Sequence, residues 1–195
     1  TSLVIYYLIF RFVFKKSIFK QSNMTPMSPK TTGLIVVLAI FMGVWMMSFV
    51  RFPFIADNYP QFNEAFDFLL GTNIWFFVLF WVIHSFYKEI FFRGLIFNSM
   101  QTVFPTWLSI FFLGIIYGAL FFNLDLALSS YGMLGAVMLC LIYIWQKSIW
   151  STIISEFVLF STYFIYHRLN PEYGVGVLSL FIISTPIILY LMYLV

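Results

Sequence analysis

The chain has 195 residues, 63% of them hydrophobic and 23% aromatic, against ten basic and seven acidic side chains. Soluble domains carry about 25% charged residues, and the 9% present here cannot cover a 23.0 kDa globule in water. An ordinary cytosolic enzyme, a nucleic-acid binder and a disordered chain are thereby excluded, which leaves a multi-pass membrane protein in contact with lipid.

Residues 1–14 form an apolar stretch shorter than the roughly 20 residues of a full span, so they read as part of a first helix that continues upstream of Thr1. Arg11, Lys15, Lys16, Lys20 and Lys30 then crowd one segment, five of the ten basic residues. That bias places the segment in the cytoplasm and makes it a contact for anionic lipid. Ser-Asn-Met-Thr-Pro-Met-Ser-Pro at 22–29 marks a loop, and 33–50 is the next span. The following loop, 51–72, carries Asp57, Glu64 and Asp67 against Arg51 and is expected outside. Within it Phe62, Phe66, Leu69 and Leu70 recur at helical spacing, which predicts a short helix lying in the membrane interface, anchored to lipid by that stripe.

Further spans are predicted at 73–100, 107–122, 130–145, 149–167 and 174–195, with Pro105 and Asn170-Pro171 between them. Open strands are excluded because lipid cannot satisfy their edges. The fold class is therefore all-α: a polytopic membrane helical bundle of about seven helices, one domain over 1–195. Alternation places 101–106 and 146–148 inside, 123–129 and 168–173 outside, and the C-terminus in the cytoplasm. Lys147 agrees with that scheme and Arg168 opposes it.

Ionisable groups within a span face a bundle interior, and the third span holds the densest set: His84, Lys88, Glu89 and Arg93. Glu89 and Arg93 stand at i, i+4 and can pair; His84 and Lys88 form a second such pair about 100° around the helix. Glu156 lies about two turns into the sixth span. No metal site is expected, because His84 and Glu156 are the only ligand candidates besides Glu89, which Arg93 engages. Cys140 sits in an apolar run and reads as a small core residue. Asn123 and Asp125 read as helix-end residues.

Lys88-Glu89-Ile90-Phe91-Phe92-Arg93-Gly94-Leu95-Ile96-Phe97 resembles the Glu-Glu-x-x-x-Arg helix of the CPBP family, which comprises CAAX prenyl endopeptidases, bacteriocin-processing and immunity proteins and abortive-infection proteins. Leu113–Phe121 is similar to its second motif, Phe-x-x-x-His, with Tyr117 at the Phe position, and Ser148–Phe157 resembles the approach to its third, His-x-x-x-Asn. The resemblance covers about residues 70–165 and implies the core of an intramembrane protease. In active members the first Glu activates a water, and two His residues and an Asn complete the site. Carried over, those positions become Lys88, Phe121, Glu156 and Phe160, while Glu89 and Arg93 persist as a structural pair.

Neither Lys⁺ nor Phe serves as a general base. The resemblance therefore implies a pseudoprotease without cofactor, in which Lys88 and Glu156 form an ion pair while Phe121 and Phe160 fill the space of the lost groups. Such a protein would bind, scaffold or regulate another membrane or cell-envelope protein of a bacterial plasma membrane, in bacteriocin self-immunity or cell-wall maintenance. Two alternatives stand beside it. One is an active intramembrane endopeptidase with an altered site, using Glu89 and Glu156 or His84. The other is a small-molecule transporter, which nothing beyond the span count favours.

Overall fold

A computed structural model describes Val4, Tyr7, Leu8, Arg11, Phe12, residues 17–169 and residues 175–195. The described residues are mostly helical and contain no strand. After a single turn, Ile18–Gln21, eight helices follow: α1 (Pro29–Val50), α2 (Pro53–Asn58), α3 (Gln61–Leu70), α4 (Ile74–Glu89), α5 (Thr106–Phe121), α6 (Leu126–Gln146), α7 (Ile149–Leu169) and α8 (Val175–Leu194). Five helices are long and apolar enough to cross a membrane, and the apolar α5 is shorter. At 16 residues it spans about 24 Å, less than a hydrocarbon core of about 30 Å. The chain is a multi-pass membrane protein. The expected first helix, Lys15, Lys16 and the Asn170-Pro171 turn fall largely or wholly outside the described residues.

The helix ends obey local chemistry. Ser28 is extended and its Oγ accepts from the Thr31 amide, with Pro29 opening the helix, so α1 starts before the purely apolar run. Asp125 caps α6 through a 2.8 Å bond from the Leu128 amide, in the helix-end role expected of it. Lys147, at φ 49°, closes the same helix in the left-handed region.

The third span runs without a break from Ile74 to Met100, as the absence of Gly and Pro before Gly94 predicts. Its hydrogen bonding changes along the way. From Ile90 to Phe97 the turns widen to π-helical, i→i+5 geometry before a last α-turn, Asn98–Met100. Hydrophobic periodicity carries no signal for that change.

The chain divides into two compact units. The first comprises 1–27 and 83–153, the second 28–82 and 154–195. The first unit is built around Phe92, Phe97, Leu113, Cys140, Tyr143, Ile149 and Ile153, and Cys140 is the core residue its surroundings predict. Here α5 and α6 pack through Gly114 and Gly118, a small-x-x-x-small stripe. A Cβ at Gly118 would strike the Ser129 carbonyl, while Ser129 Oγ donates to the Gly118 carbonyl at 3.1 Å.

In the second unit α1 packs on α8, where Trp45 stacks on Phe181 with centroids 5.0 Å apart and donates to Thr185 Oγ1 at 3.0 Å. Tyr166 shares a 3.2 Å bond with Ser48, and Tyr163 donates to Met46 Sδ. The predicted short helix exists as α3, but its apolar stripe does not face lipid. Phe62 and Leu70 are buried and Phe66 packs edge-on against Tyr163 at 5.5 Å. The stripe is core because α7 offers it an aromatic wall, which a single-helix pattern cannot reveal. The Leu69 side chain lies outside the described ones.

Candidate functional site

The signature segment sits at the junction of α4 and its π-helical continuation, inside the first unit. Glu89 is the last α-helical residue and Arg93 lies one turn on. Both are fully buried, and Arg93 Nη1 donates to Glu89 Oε1 at 2.7 Å. The guanidinium also donates from Nη2 to the Ala136 carbonyl of α6 at 3.1 Å. The i, i+4 pair read from the sequence is thus present, and it ties two helices together.

Lys88 points to the adjacent sector. Its Nζ donates to Tyr117 Oη at 2.7 Å and lies 4.9 Å from the Tyr117 ring centroid and 5.7 Å from that of Phe121. The Arg93 guanidinium also stands 5.6 Å from the Tyr117 ring centroid. Phe92 closes on Tyr117 at 5.1 Å and on Phe121 at 5.7 Å. A buried cation is costly to desolvate, and the Tyr117 hydroxyl with the neighbouring Phe121 ring offsets part of that cost. The His84 ring meets Phe121 edge-on at 5.8 Å.

Tyr117→Phe keeps the ring but removes the hydroxyl that Lys88 engages. The expected loss is about 1.5 kcal/mol of stability, with a lower melting temperature in detergent. Tyr117→Leu, which also removes the ring, should lose more. Equal melting of the two variants would show that the ring contributes nothing.

The other carried-over positions belong to the second unit. Glu156 is buried, and its backbone carbonyl accepts from Trp81 Nε1 at 3.4 Å. Phe160 packs on Trp81 and meets Tyr163 with centroids 4.8 Å apart. Among the described residues no group of three or more His, Cys, Asp or Glu converges as metal ligands do.

Sequence reading missed a polar clamp next to the π segment. Asn98 Nδ2 reaches the Gln21 carbonyl at 2.6 Å and Tyr143 Oη at 2.7 Å, and Asn23 Nδ2 reaches the same hydroxyl at 3.0 Å. The Ile149 amide donates to the Asn23 carbonyl, Thr25 Oγ1 to the Lys147 carbonyl, and Ser148 Oγ to the Thr25 carbonyl. Residues 21–25 thereby form a strap across the end of the signature helix and the start of α7. Gly94 permits it, because a Cβ there would collide with Ser22. A polar Asn98 within an apolar run was the available signal.

Residues 70–159 match the family model described as Type II CAAX prenyl endopeptidase Rce1-like. No curated protein and no solved structure matches the chain.

Proposed function

We propose, on the premise that residues 70–159 belong to the CAAX prenyl endopeptidase family, that this chain is a non-catalytic member that works by binding. It holds, scaffolds or regulates another membrane or cell-envelope protein of a bacterial plasma membrane, with its C-terminus in the cytoplasm. The observation that carries this reading is Lys88. The residue directly before Glu89, where the family's water-activating carboxylate is expected, is a buried amine donating to Tyr117 Oη at 2.7 Å. As Lys⁺ that group carries no lone pair with which to take a proton from water. Phe121 supports the same reading, since its ring packs at 4.7 Å on Tyr117 and brings no titratable group. Self-immunity to a bacteriocin or cell-wall maintenance is the setting suggested by the family resemblance.

The purified protein in nanodiscs should cleave neither prenylated C-terminal peptides nor leader-type peptides. Cleavage that disappears in Glu156→Gln, with an unchanged melting temperature, would overturn the proposal and make Glu156 a catalytic carboxylate. The complementary signs of Lys88 and Glu156, at positions where the family has Glu and His, further suggest an ion pair between them. In a double-mutant cycle to alanine, the coupling should reach about 0.5–3 kcal/mol, the double variant losing less than the sum of the singles. Lys88→Glu combined with Glu156→Lys should restore much of the loss. Additive costs would remove the ion pair and leave the binding role standing.

A further inference from the structure

Within the second unit, the segment between α1 and α4 turns one aromatic side chain of each short helix outward. Phe54 on α2 is 61% exposed and Phe68 on α3 is 84% exposed. The helix cannot rotate to hide Phe68, because its opposite side is fixed by buried Phe62 and Leu70. A 2.8 Å contact between Asp67 Oδ1 and His167 Nε2 fixes it further. The same contacts set its height. His167 and Arg168 belong to the last turn of α7, a helix of membrane-spanning length, and Arg168 Nη2 donates to the Thr72 carbonyl at 3.3 Å.

At that level α4 begins, capped by Asn73 Oδ1 accepting from the Trp75 amide at 2.9 Å. Trp75 and Phe76 in its first turn face outward, and the exposed stripe continues down the span through Leu79 and Phe80. A span of this length and composition meets acyl chains along such a stripe. Phe68 lies seven residues before Trp75 in the chain.

We infer that Phe68, together with Phe54, is an interfacial anchor seated in the lipid headgroup and upper acyl region of one leaflet. Aromatic side chains favour that region, where an apolar body meets a polar boundary. The lipid class follows from charge. Asp57, Glu64 and Asp67 are exposed on the same two helices against the exposed Arg168 beside them, so the surface is negative on balance and selects zwitterionic over anionic headgroups. A protein partner or a second copy on this surface would instead take Phe68 out of both lipid and water.

Site-directed spin labelling tests the anchor. Phe68→Cys, Phe54→Cys and Glu64→Cys are labelled singly in phosphatidylcholine nanodiscs, fully buried Cys140 remaining unlabelled, with wild-type melting as the check on folding. Power saturation should show greater access for oxygen than for an aqueous nickel chelate at 68 and 54, and the reverse at 64. Adding phosphatidylglycerol should leave these values unchanged. Greater nickel access at 68 would place it in water, and exclusion of both relaxants would place it under protein; either result overturns the anchor. Deeper burial on adding phosphatidylglycerol would overturn the lipid class.

Discussion

Arg93→Ala is expected to lower stability by about 3–5 kcal/mol, because it strands the buried Glu89 carboxylate in a low-dielectric interior. The guanidinium holds Glu89 Oε1 at 2.7 Å and reaches the Ala136 carbonyl at 3.1 Å, so its loss also unties the π-helical continuation of α4 from α6. Glu89→Gln keeps an acceptor for Arg93 Nη1 but leaves its charge unmatched, and should lower folded yield by less. The double variant Glu89→Gln with Arg93→Met should cost less than the sum, since no lone charge remains. Melting in detergent and recovery of monodisperse protein measure all three. Wild-type stability in Glu89→Gln, accompanied by loss of partner binding, would show that Glu89 serves function rather than architecture.

Gly94→Ala is expected to cost about 3 kcal/mol, at the upper end of what overpacking brings. The added methyl would meet Ser22 at its hydroxyl, its Cβ and its Cα, the last at 3.2 Å, so a side-chain rotation cannot relieve it. The strap must move, and with it the bonds from Asn98 to the Gln21 carbonyl and from the Ile149 amide to the Asn23 carbonyl. Amide exchange at residues 21–25 should accelerate and the melting temperature fall. Ser22→Gly in the same chain should recover part of the loss by vacating the contact. Unchanged exchange at the strap in Gly94→Ala would refute the account of Gly94.

What was legible in the sequence was local. Five long apolar helices follow from runs such as 33–50 and 174–195, because lipid demands continuous apolar length and internally satisfied backbone. Glu89 and Arg93 were legible as a pair because four residues are one turn and no other partner is nearer. Asp125 was legible as a cap for the same local reason.

Elements that depend on distant neighbours were not. Periodicity identified α3 but assigned its stripe to lipid, because the Tyr163 ring that receives Phe66 lies almost a hundred positions further on. Asn23 and Tyr143 are 120 positions apart, and neither residue announces the other. The π-helical turns from Ile90 to Phe97 leave hydrophobicity unchanged.

The sequence by itself determined that the chain crosses a membrane as helices and carries a charged signature helix, since transfer energies and turn geometry act residue by residue. Only the tertiary structure decided that Lys88 is held by Tyr117, that Gly94 admits a strap and that Phe68 rather than Phe62 faces outward. Each of those outcomes is a choice among neighbours, and the neighbours are supplied by folding.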